Sequence, residues 1–112
     1  MATLSVIKVD SGGQIVTYSQ TDLAGGDQFP FSRGKVIVHI RNNDTTDPLN
    51  VTFVAQRQCN YGVLHDLTVT VDPSTEKVVE LSDRSRFVDQ NGYVNITYSG
   101  TSTQGDIAIY EA

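Results

Sequence analysis

The chain holds a single cysteine, Cys59, and no tryptophan. One thiol closes no intrachain disulfide and builds no thiolate metal cage by itself, so the stapled scaffolds of small secreted domains are excluded. Basic residues are also few, 8 against 13 acidic ones, giving a formal charge of −5 and an isoelectric point near 4.7. An acidic chain gains nothing from the bulk electrostatics that draw proteins to polyanions, so neither nucleic acid nor an anionic membrane is an expected partner. No long apolar run occurs, and Met1 to Lys8 lack a basic segment followed by an apolar one. The expectation is a soluble protein made without a cleaved leader.

What is present is a period of two. The 112 residues suit one domain, 1–112, able to bury a single core without a metal or disulfide. Residues 35–41, 67–71 and 93–98 alternate apolar and polar side chains, the mark of half-buried strands. Weaker runs at 3–9, 50–56, 77–81 and 106–110, with Ile15-Val16-Thr17-Tyr18 as an edge strand, bring the count to seven or eight. Ser11-Gly12-Gly13, Gly25-Gly26-Asp27, Asp72-Pro73-Ser74-Thr75 and Asn91-Gly92 supply turns between them. Only residues 82–87 suit a short helical turn. The pattern predicts an all-β fold, a single antiparallel β-sandwich of jelly-roll or immunoglobulin-like type, with residues 1–24 as an N-terminal arm or edge strands.

Signatures of chemistry are missing. There is no Gly-x-Ser-x-Gly elbow, no His-Glu-x-x-His, no phosphate-binding glycine loop and no dinucleotide fingerprint, and an enzyme is not expected. His39 lies within a strand, on the face opposite Val36, Val38 and Ile40, and reads as an ordinary sheet histidine. Cys59 and His65 lack a third ligand at a metal-binding spacing, so no metal or cofactor is expected. Asn42 to Asp47 gather oxygen donors, but without the glycine and terminal glutamate of a calcium loop they read first as turn formers. Asn50-Val51-Thr52 and Asn95-Ile96-Thr97 match the glycosylation sequon but fall within strands.

The irregular stretches 20–34, 42–49 and 57–66 are long for a compact domain, and function gathers in such loops. Phe29, Phe31, Tyr61 and Phe87 fall in or beside irregular segments, where they either plug the ends of a sandwich or anchor a protein contact. Arg84 and Arg86, near Asp83 and Asp89, read either as a solvated charge cluster or as interface pairs.

The order of local patterns carries a resemblance. Gly25-Gly26-Asp27-x-Phe29-Pro30 is followed by a strand ending in Arg41-Asn42-Asn43. Asp66-Leu67-Thr68-Val69-Thr70-Val71 precedes a proline turn, and the chain closes with Phe87-x-Asp89-x-x-Gly92-Tyr93-Val94-x-Ile96-Thr97-Tyr98-Ser99. From Gly25 onward this arrangement resembles the small β-sandwich head decoration, or cement, proteins of tailed bacteriophages. The resemblance implies a non-enzymatic protein on the capsid exterior, made in the host cytoplasm, that binds the major capsid protein lattice and stabilises the head. It also implies a homo-oligomer, with a homotrimer as the expectation. On that reading Phe29, Phe31, Arg84, Arg86 and Phe87 lie near the capsid contact. A phage tail or fibre domain and a carbohydrate-binding module are the alternatives.

Overall fold

The computed structural model describes residues 2–9, 11–32, 34–57, 65–100 and 105–111. Within them the elements run β1 (Ala2–Thr3), β2 (Val6–Lys8), β3 (Ser19–Gln20), β4 (Asp27–Pro30), β5 (Val36–Asn42), β6 (Leu49–Phe53), β7 (Leu67–Val71), β8 (Glu76–Leu81), α1 (Arg84–Phe87), β9 (Tyr93–Gly100) and β10 (Gly105–Glu111). Two sheets pack face to face. One has the order β1-β4-β9-β6-β7, the other β2-β10-β5-β8, with β3 also pairing along β10. The pairings are antiparallel except at two margins, where β1 lies parallel to β4 and β2 parallel to β10. The smallest principal extent, 20 Å, fits two layers about 10 Å apart with their outward side chains.

Alternation in the sequence sets which side chains meet. In β5, Val36, Val38 and Ile40 point inward while Ile37, His39 and Arg41 point out. In β9, Val94 and Ile96 are buried, and in β6 so are Leu49, Val51 and Phe53. These meet Ile107 and Ile109 of β10 and Leu81 of β8 in one core. Burying each large apolar side chain stabilises the fold by about 1.5–3 kcal/mol before conformational entropy is counted.

The all-β sandwich follows the sequence reading, but ten short strands replace the expected seven or eight. The run at 3–9 splits in two because Leu4 turns into the core. Leu4 still donates its N–H to the Gln28 carbonyl at 2.7 Å in one sheet, and Val6 then pairs with Ile109 in the other. The expected edge strand at 15–18 does not form. Its alternation is not buried, Ile15 being 88% exposed, and pairing begins only at Ser19 opposite Ile107.

Turn chemistry fixes the ends. Asp83 caps α1, its side chain accepting from the Arg86 N–H, and Phe87 pins the turn to the core. Before β4 the chain reverses over 22–26, where Gly26 takes φ +77°, and a Cβ there would lie 2.6 Å from the Ile96 carbonyl oxygen. Only glycine meets both demands.

Candidate functional site

The five residues expected at a capsid contact separate into two groups. Phe29, Phe31 and Phe87 are corrected to core residues: all three are buried, closing the sandwich interior, and present no side chain to a partner. Their neighbourhood is irregular in sequence, yet Phe29 occupies an inward position of β4, and alternation there outweighs loop context. Arg84 and Arg86 stay at the surface, where both donate to backbone carbonyls. Arg84 Nε reaches the Phe31 oxygen at 2.8 Å, and Arg86 bonds the His65 oxygen through two nitrogens at 3.1 and 2.6 Å. The Arg86 guanidinium also lies over the Phe87 ring, 4.8 Å from its centroid. These arginines therefore knit α1 to its neighbours. Cys59 and Tyr61 lie outside the described residues, and with them most of the 57–66 loop.

The two outer faces of the sandwich differ sharply in chemistry. On the β2-β10-β5-β8 sheet, antiparallel register sets Arg41 beside Asp106 and Glu76, and His39 beside Ala108 and Val78. Arg41 donates to Asp106 at 2.9 Å and lies 3.8 Å from Glu76, whose carboxylate is 3.5 Å from His39 Nε2. Tyr18, arriving from the N-terminal arm, places its ring 3.8 Å from the Arg41 guanidinium and its hydroxyl 3.3 Å from His39 Nδ1. Asn43 adds a bond to Asp106 at 2.7 Å. Burial, and then the neighbouring Tyr18, push the Tyr110 hydroxyl up on the same face. Two carboxylates already flank Arg41, so this face is not a spare anion site. Beside it, Arg41, Asn42, Asn43, Ser74, Thr75 and Glu76 line an open, shallow depression.

The outer face of the β1-β4-β9-β6-β7 sheet carries hydroxyls and amides instead. Register places Asn50 between Thr70 and Ser99, and Thr52 between Thr68 and Thr97. Thr70 donates to the Asn50 oxygen at 2.7 Å, and the Thr52 and Thr68 hydroxyls are 3.0 Å apart. Tyr93 and Asn95 continue the outward set along β9. No outward position on β6, β7 or β9 is charged. Sequence reading found the polar halves of these strands but not the face, because the order β9-β6-β7 joins segments far apart in the chain.

The remaining candidates are structural. Asn42 is buried and donates to the Asp47 and Val71 oxygens at 2.8 and 3.0 Å, while its own oxygen accepts from the Asp44 N–H. Asp44 in turn accepts from the Thr46 and Asp47 N–H groups, so the 42–47 side chains order their own turn. Among the described residues, no three His, Cys, Asp or Glu side chains converge as a metal site. At the core's edge Asp27 is fully buried, one carboxyl oxygen accepting from the Tyr98 hydroxyl at 2.6 Å and the Asp22 N–H at 3.1 Å. Burial, then Asp27 itself, hold the Tyr98 hydroxyl far above its ordinary range, so it remains a donor. Compared with protein-family models, curated proteins and solved structures, the chain finds no match.

Proposed function

We propose that the protein is a non-enzymatic structural component of a virion, which binds the outer surface of a phage major capsid protein lattice and stabilises the head. The observation that carries this reading is where apolar surface is left uncovered. Of the four large apolar side chains exposed among the described residues, Val9, Ile15 and Val16 fall within the single excursion that joins β2 to β3; only Val78 is elsewhere. Scattered exposed residues need no explanation, but several on one irregular arm suit an anchor that is covered on docking. The arm is tied at both ends to the two-layer frame, through β2 and β3 along β10, which limits the ordering cost of attachment. Many such clamps on one shell stabilise it by mass action even when each is modest, because they bind the assembled lattice and not its separated subunits. On this reading the arm takes over the anchor role expected of the phenylalanines, Arg84 and Arg86 border the contact, and the working unit is a homotrimer.

The test is co-expression with a major capsid protein from the same genome, then sedimentation of the expanded shells. Saturable co-sedimentation is expected, abolished by the double substitution Ile15→Asp and Val16→Asp in a protein whose circular dichroism is unchanged. Wild-type protein that stays in the supernatant at every ratio would overturn the reading. Sedimentation velocity of the free protein checks the trimer.

A further inference from the structure

We propose that the outer face built by β9, β6 and β7 binds a neutral polysaccharide, at the patch of Asn50, Thr52, Thr68, Thr70, Thr97 and Ser99. This site is separate from capsid attachment, since the arm leaves from β2 and returns at β3, at the margin of the opposite sheet.

The argument begins with what the patch lacks. The chain carries 21 charged residues, 8 basic and 13 acidic, yet none occupies an outward position of these three strands. A charged partner finds no counter-charge here, and the meeting of opposite charges is what normally selects charged partners. An apolar partner would strip water from Thr97 and Ser99, and from the donors and acceptors that Thr70, Asn50, Thr52 and Thr68 do not use on one another, and would replace none of those bonds. A chain of neutral sugars brings both donors and acceptors, so each protein–water bond is exchanged for a protein–sugar bond.

Geometry supports the same class of ligand. The six side chains form two rows across three strands, Thr70-Asn50-Ser99 and Thr68-Thr52-Thr97. Neighbours in a row are about 4.8 Å apart, and the two rows about 6.8 Å apart, from the dimensions of a sheet. An extended sugar polymer has its hydroxyls on a comparable scale. The bonds within the patch also orient it: Thr70 donates to the Asn50 oxygen and so leaves the two N–H donors of the Asn50 amide nitrogen for other acceptors. Thr97 and Ser99 are exposed on the central strand. Beyond them on the same outward set, Tyr93 offers an aromatic ring against which a sugar ring can lie.

The experiment is native affinity electrophoresis of the full chain in gels containing a soluble β-glucan, a galactomannan or dextran, with alginate as the anionic control. Retardation in at least one neutral gel and none in alginate is expected. The triple substitution Thr52→Val, Thr68→Val and Thr97→Val keeps side-chain shape and strand preference but removes the hydroxyls, and should weaken binding at least about tenfold. If that variant fails to fold, Ser99→Lys places a charge at an exposed position and should give the same loss. No retardation in any neutral gel overturns the proposal. So does retardation that survives these substitutions, or retardation by alginate alone. Capsid sedimentation reads a different surface, so failure of either assay leaves the other result standing.

Discussion

Removing the Tyr98 hydroxyl should be among the most costly single-atom changes the protein can undergo. Asp27 is fully buried, and its Oδ2 accepts two hydrogen bonds, from Tyr98 and from the Asp22 N–H. Its Oδ1 has no partner among the described residues. Tyr98→Phe keeps the ring against the core and takes away one of the two donors. A hydrogen bond to a charged group is worth about 1.5–3 kcal/mol, and stranding a buried polar group adds to the loss. For a domain of this size about 2–3 kcal/mol corresponds to a fall in Tm on the order of 10 °C. Urea and thermal unfolding followed by far-ultraviolet circular dichroism read this directly, and are unaffected by the loss of one tyrosine fluorophore. The cost should shrink in an Asp27→Asn background, because the neutral amide oxygen makes an ordinary bond worth about 1 kcal/mol. Tyr98→Phe within about 0.5 kcal/mol of wild type in both backgrounds would refute the assignment of this hydroxyl as the carboxylate's main support.

Phe29→Ala should lose about 3–5 kcal/mol by opening a core cavity, seen as an earlier urea midpoint; a stable variant impaired only in attachment would contradict its placement. Gly26→Ala combines a left-handed backbone with a Cβ pressed on the Ile96 carbonyl, so thermal unfolding should fall by the equivalent of at least about 1–2 kcal/mol. Asp89 accepts from the Tyr93 and Asn91 N–H groups and from the Asn95 amide, and the Tyr93 bond foremost holds its carboxyl below the usual range. Its folded pKa is thus the lower one, so its contribution is full above the ordinary carboxylate range and is lost as pH falls through the folded value. Asp89→Asn should flatten the acid limb of stability against pH, and an unchanged limb in urea titrations would count against these bonds.

The strongly alternating strands were legible because each needs only local information. Residues 36–42 and 67–71 carry their inward and outward sets in plain sequence, and the structure pairs them as alternation requires. Ile15 to Tyr18 misled for the same reason: the pattern is there, but no core faces it, and periodicity says nothing about whether a partner sheet exists. The crossing at Leu4 was hidden because one buried residue can belong to either sheet. Phe29, Phe31 and Phe87 were ambiguous since an aromatic side chain near a turn serves equally as plug or anchor, and only burial decides between them. The Tyr18, His39, Arg41, Glu76 and Asp106 cluster and the hydroxyl face share one obstacle. Each is assembled by pairing between strands distant in the chain, which no spacing within a single strand announces.

The leading peptide works as a double fastener. By laying β1 along β4 and β2 along β10, it shields one lateral margin of each layer with fewer than ten residues. Trimming that ribbon would bare two ladders of amide donors and carbonyl acceptors at once, on opposite leaves of the same molecule. Each bared margin is an unpaired strand edge of the kind that templates edge-to-edge association, so these few residues guard both leaves against it.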